Sequence, residues 1–310
     1  MFNHFIFLTE GENKSNQVNR ELIVRSDSNS VDFALLKEGR LIELHRDEND
    51  HNFNVGDILI AKIRKPVTGL NAAFVNVGYE KDAFLHYHDL GPQLKSMLKF
   101  IKGVQSGRIK DFSLKNFPLE KDIDKNGSIK DVVTPNQSLL VQIVKEPIST
   151  KGPRISSELS IAGRFLVMVP FSDRVSVSQK IGSKKEKDRL KRLVQSIKPK
   201  GFGVIIRTVA EGKKVAELDK DLENLMSKWI SMCKKLRRAS PPSKVLVELN
   251  RASSILRDVF NDTFTGIHVD DETLYNQIKD YLHEIAPEKE SIVKLYSSNV
   301  PIFEKFGIER

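Results

Sequence analysis

Residues 55–90 read VGDILIAKIRKPVTGLNAAFVNVGYEKDAFLHYHDL, and the rest of the chain is organised around them. Val55-Gly56-Asp57 opens a β-rich run from Ile58 to Arg64. Pro66 to Leu70 turns, Ala72 to Val77 forms the next run, Gly78 to Lys81 turns again, and Asp82 to His86 makes a third. Short strands at this regular spacing predict a small antiparallel barrel. Ser138 to Val144 (SLLVQIV) is placed to close it. Between them, residues 91–135 are rich in Lys, Asp, Asn and Gly and read as a partly mobile insertion at a barrel loop. Closure entropy grows slowly with length, so such an insertion costs little stability.

Upstream, Glu21 to Arg25, Val31 to Leu36 and Leu41 to Leu44 predict a three-strand meander, turned at Ser26–Ser30 and at Gly39. Asp47 to Asn54 reads as a linker and residues 1–20 as a polar leader. Downstream, Arg164 to Val169 and Val175 to Ser178 are strands. Ser183 and Glu186 have capping-box spacing, and Leu190, Leu193, Val194 and Ile197 continue at helical steps until Lys198-Pro199-Lys200-Gly201. Gly203 to Arg207 then completes a βαβ-like piece. The last third is helical. Leu218, Leu222, Leu225, Trp229, Met232 and Leu236 recur at three- and four-residue steps, and ASPPS at 239–243 breaks the pattern. A helix over 250–259, a strand over 265–269, a helix over 270–285 capped by Asp270 or Asp271, and a strand over 292–296 follow. The class is α+β.

Composition agrees with a folded protein. Of 310 residues, 39% are hydrophobic and 29% charged, which excludes a disordered tail and a membrane bundle. The longest apolar stretches, such as Ile161 to Val169, fall far short of a span. A single cysteine, Cys233, rules out a disulfide framework and a cysteine zinc site and fits a reducing, cytoplasmic location. The net charge of +9 points first to nucleic acid or another acidic surface.

Several residues could carry chemistry. Phe74 and Phe84 lie mid-strand, with Lys62, Arg64 and Lys65 nearby, as in barrels that bind single-stranded nucleic acid. Both rings could equally be core, since alternation does not say which face is outward. Arg207-Thr208 ends a strand with a planar fork and a hydroxyl, a pair that matches a terminal phosphate. A solvated strand-end arginine would look the same. The basic run Lys180–Lys200 is either a solvated helix face or a phosphate footprint. His86 and His88 lack a third clear metal ligand, and Asp122 and Asp124 read as a flexible acidic loop. There is no P-loop, no dinucleotide glycine fingerprint and no nucleophile-elbow serine.

Three longer strings say more: GLNAAFVNVGYEKDAFLHYHDLGP, LLVQIVKEPISTKGPRISSELSIAGRFLVMVPFSDRVSVSQKI and GFGVIIRTVAEG. They resemble the ribonuclease E/G family of bacterial endoribonucleases, nearest to its ribonuclease G branch of the Bacteroidetes type, from about Glu21 to Arg310. The resemblance implies a split RNase H-like domain (21–50 and 215–310), an inserted S1 or OB-fold barrel (51–155) and a 5′-sensor region (156–214). It places Phe74 and Phe84 on RNA-stacking aromatics and Lys151 on an RNA-contacting lysine. Arg207 and Thr208 fall on the pair that grips a 5′-monophosphate, with Gly163 and Val167 beside that pocket.

By resemblance the reaction is hydrolysis of single-stranded RNA by a Mg²⁺-dependent homo-oligomeric enzyme, in ribosomal-RNA processing and messenger-RNA decay. The family's metal-binding carboxylates lie in a DNase I-like subdomain whose motif is missing here, as is its cysteine-bearing zinc link. The expectation is therefore a recognition half that is inactive alone, its catalytic carboxylates beyond Arg310. A non-catalytic RNA-binding module is the alternative. A structural ribosome-associated protein is weaker, since it leaves Arg207-Thr208 without a purpose.

Overall fold

A computed structural model describes residues 18–28, 30–48, 53–147, 151–248, 251–261 and 263–309. The expected leader, as far as residue 17, and residues 49–52 of the expected linker lie outside them. The chain divides into two compact units, one formed by Asp50–Asn250 and one by Met1–Asn49 with Arg251–Arg310. None of the described helices is long and apolar enough to cross a membrane.

The barrel forms the start of the first unit. Strand Ile58–Val67 pairs antiparallel with Ala72–Asn76, which pairs antiparallel with Ala83–His86. Ser138–Lys145 pairs with Ile58–Val67 on one side and with the short strand Arg154–Ser156 on the other. Arg154–Ser156 lies parallel to Ala83–His86 and closes five strands into an OB-like barrel. Its first strand runs past the expected end at Arg64. A bulge between Ile63 and Lys65 reorients the ladder, so that Pro66 sits opposite Ala73 before the turn. Asn71 takes φ of +45° at the end of that turn, a conformation asparagine tolerates.

The segment 91–135 is more than a loop. Leu94–Gln105 is a helix whose Leu94, Met97, Phe100, Ile101 and Val104 are buried. Phe100 stacks on Trp229 with centroids 5.5 Å apart, and the Trp229 indole donates to the Phe112 carbonyl at 2.7 Å. At the barrel, the Ile129 amide donates to the Asn71 side chain at 2.7 Å. The expectation of a partly mobile loop fails because its apolar residues, at steps of three and four, bury a stripe.

A second sheet follows in the order Val175–Val177, Phe202–Ile206, Leu166–Pro170, Ile161–Ala162. The first two strands are parallel and joined through helix Lys184–Ile197, a true βαβ crossover. Helix Val215–Leu236 turns Leu218, Leu222, Leu225, Trp229, Met232 and Leu236 into the same core as the barrel and this sheet. Strand Ser243–Leu246 pairs with the barrel strand Ile58–Val67.

In the other unit, strands Arg20–Ser26, Ser30–Lys37 and Arg40–Glu48 form the antiparallel meander. Phe264–Val269 adds in parallel to the first, and Val293–Leu295 in parallel to that. Helices Arg251–Val259 and Glu272–Ile285 supply Leu256, Ile278 and Leu282 to its core. Asp271 caps the second helix, accepting from the Leu274 amide at 2.8 Å. Asp32, 2% exposed, is held by Arg46 at 2.7 Å and Arg25 at 2.6 Å. The Arg46 hydrogen bond, against the cost of burial, keeps its carboxyl below the usual carboxylate range.

Candidate nucleic-acid interface

Strand alternation builds the barrel's outer face. Ala73, Val75, Ala83 and Leu85 are fully buried, so the intervening Phe74 and Phe84 point outward. Phe74 is 36% exposed and Phe84 half-buried, and their rings meet edge to face with centroids 6.0 Å apart. The sequence left their face open, and the structure puts both on the outer one. Cross-strand register extends the pair into a row. Lys65 is opposite Phe74, Phe74 opposite Phe84, and Phe84 opposite Arg154.

This row borders a groove of about 680 Å³ that also takes in Lys81, Asp82, Lys151 and Gly152. Lys151 is exposed there, so the structure brings it together with Phe74 and Phe84. A Cβ on Gly152 would stand 2.5 Å from the Asp82 carbonyl oxygen and 2.9 Å from that of Lys81. Only glycine lets these two backbone segments meet. Arg64 pairs with Asp82 at 3.2 Å, and Arg154 with Asp89 at 2.8 Å. Arg154 and Gly152 were not singled out in the sequence. Their signal lay in the quoted STKGPR string, where a glycine interrupts basic residues.

The second set of residues gathers at the end of strand Phe202–Ile206. The Arg207 amide donates to the Phe165 carbonyl at 2.9 Å, and its guanidinium donates to the Gly163 carbonyl at 2.8 Å. The hydroxyls of Thr208 and Ser178 are 3.0 Å apart. Val167, half-buried, stands opposite Ile205, which is 42% exposed, on the neighbouring strand. Arg164 and Lys213 place their cationic groups 5.1 and 5.4 Å from the Phe165 ring centre.

Sequence reasoning missed the residue that shapes this corner. Asp221, 9% exposed, accepts from the amides of Arg164, Phe165 and Leu166 at 3.0, 2.9 and 2.9 Å. A Cβ on Gly163 would lie 2.7 Å from both of its oxygens. One buried carboxylate thus winds the 163–166 turn and sets the carbonyl that Arg207 grips. Its signal was an aspartate between Leu218 and Leu222 on the apolar helix face.

The His86 ring accepts from the His88 backbone amide at 3.1 Å. Ile123 in the supposed acidic loop is buried. Among the described residues, no three His, Cys, Asp or Glu side chains gather as a metal group would need. The buried carboxylates are committed: Asp32 to two arginines, Asp57 to Lys244 at 2.8 Å, Asp221 to three amides. The described residues therefore do not fit a catalytic Mg²⁺.

Fold and site define an α+β protein built on an OB-like barrel with an aromatic and basic outer groove. The sequence profile described as the Ribonuclease E/G family matches residues 160–310. Ribonuclease G of Haemophilus influenzae is 32% identical over 289 residues, 93% of this chain and 55% of that protein. Ribonuclease G of Escherichia coli is 31% identical over the same shares, and ribonuclease E of a Nostoc species 29% identical over 89% of this chain and 36% of that protein. The chain belongs to the ribonuclease E/G family. It spans about half the length of the ribonuclease G relatives it matches.

Proposed function

We propose that the 50–250 unit grips single-stranded RNA at two places, as the recognition part of a ribonuclease E/G-type endoribonuclease. In this reading, unpaired bases stack on Phe74 and Phe84 while Lys151 meets the backbone. Arg207 and Thr208 hold a 5′-monophosphate, with Gly163 orienting the arginine and Val167 flanking the pocket. The other unit is the RNase H-like part, its second stretch beginning at residue 251 rather than at 215 as the resemblance implied. The whole protein then hydrolyses RNA in cytoplasmic ribosomal-RNA processing and messenger-RNA decay, as a homo-oligomer.

One observation carries this reading: the outward row Lys65, Phe74, Phe84, Arg154 across four adjacent strands. Two outward-facing rings flanked by cations give a stacking platform inside a positive groove, which takes any base sequence because every base has a π-face. At the other corner, the bond to the Gly163 carbonyl fixes the plane of a five-donor guanidinium beside two hydroxyls.

Titrating 5′-monophosphate and 5′-hydroxyl oligonucleotides by fluorescence anisotropy tests both grips. Phe74→Ala should weaken both RNAs by roughly 1–3 kcal/mol. Arg207→Ala should weaken only the monophosphorylated one. Equal losses on both RNAs after Arg207→Ala, or unchanged binding after Phe74→Ala with the fold intact, would refute the corresponding grip.

A further inference from the structure

We infer that the aromatic groove continues past Phe84 into a second pocket, walled partly by residues 123–126, which takes one further unpaired base of the bound strand and prefers guanine. This rests on the stacking groove proposed above and deepens it.

Phe84 and His86 are alternate residues of one strand, so they share its outer face about 7 Å apart. The chain then turns, and the His86 and His88 rings lie 5.1 Å apart at 38°. Phe84 lines the first groove and His88 the second pocket, so the rings Phe74, Phe84, His86 and His88 form one track between them. The Arg154–Asp89 ion pair bridges the same step. Arg154 lines the first groove, and Asp89 sits between His88 and Leu90 of the second.

The second pocket measures about 430 Å³, enough for a nucleobase. Leu90, Pro92 and Ile123 give it apolar walls, His88 an aromatic one, and Asn126 and Glu158 a polar rim. That is the composition of a site for a flat ring with a hydrogen-bonding edge. Two of its polar side chains are engaged. The Tyr87 hydroxyl donates to the Asp124 carbonyl, and the Asp124 carboxylate accepts from the Asn126 amide at 3.0 Å. Of its two carboxylates, that of Glu158 is exposed and makes no hydrogen bond or ion pair with the described residues. A carboxylate accepts at two oxygens. Guanine is the base whose Watson–Crick edge presents two adjacent donors, N1–H and the 2-amino group, so it fits this acceptor best.

The test uses short uridine oligonucleotides carrying a single guanosine at each position in turn, titrated against the wild-type chain, Phe74→Ala and Glu158→Ala. One position should bind the wild type at least about five-fold more tightly than uridine alone, as a two-point base contact allows. Taken as the ratio of guanosine-bearing to plain uridine affinity within each variant, that gain should persist in Phe74→Ala on a weaker background and vanish in Glu158→Ala. No favoured position, or a gain that survives Glu158→Ala, would overturn the second pocket. Wild-type binding by Phe74→Ala across the whole set would instead overturn the groove on which it rests.

Discussion

At Gly152 a hydrogen atom replaces what would be a methyl group 2.5 Å from the Asp82 carbonyl oxygen. Backbone cannot yield as a flexible side chain would, so Gly152→Ala must push the 151–153 segment away from the 81–82 turn. Lys151 moves with it. We expect single-strand affinity to fall, and the slope of log K against log salt to flatten by roughly 0.7, the share of one phosphate contact. Lys151→Ala should flatten it equally, and the double variant no further. A Gly152→Ala chain with wild-type affinity and salt slope would show that Lys151 makes no contact. Residues of this kind are hard to read from sequence. Phe74 and Phe84 were visible as aromatics in strands, but their face depended on a register that no local pattern fixes. Asp221 looked like one polar interruption of a helix stripe, because its three amide partners lie 55–57 positions away.

Single elements were legible where a local signal was undiluted. Ser183 and Glu186 marked the start of helix Lys184–Ile197, and the Ser183 hydroxyl does accept from the Glu186 amide at 3.3 Å. The Glu186 carboxylate goes elsewhere, to the Arg189 guanidinium at 2.6 Å and the Gly212 amide at 2.9 Å. Those two bonds, chiefly the one to Arg189, pull its carboxyl down to about 2 from an ordinary 4.5, against the small cost of burial. A depressed carboxyl stabilises the fold above its unfolded value and loses that contribution as pH falls toward its folded one. Glu186→Gln should therefore destabilise the chain by about 1 kcal/mol near neutrality, modest because the pair is partly solvated. The difference from wild type should shrink as pH drops from about 4.5 toward 2, followed by urea unfolding across that range. A gap that stays constant with pH would mean the carboxylate's charge contributes nothing. Helix Leu94–Gln105 shows the opposite case. Its stripe is regular, but the polar surroundings of 91–135 diluted the signal below notice.

Across the whole molecule, a hydrophobic stripe names a face and not the core it faces. The run Leu218 to Leu236 announced a helix clearly. Nothing in its spacing told whether it packs forward onto residues 251–309 or back onto the barrel. Its contacts run back, through Trp229 to Phe100, Phe171 and Phe202. Residues 50–250 thus carry a continuous chain, a closed barrel, a βαβ sheet and one shared core. The other unit is assembled from two separate stretches, joined by the parallel pairing of Arg20–Ser26 with Phe264–Val269. A contiguous unit with its own core meets the requirements for independent folding. Residues 50–250 expressed alone should unfold in one cooperative transition and bind a 5′-monophosphate oligonucleotide within about two-fold of the full chain, since every residue of both proposed grips lies inside it. A stably folded 50–250 fragment with lost affinity would place part of the RNA surface on the other unit. A fragment without a cooperative transition would show that this core needs the rest of the chain to form.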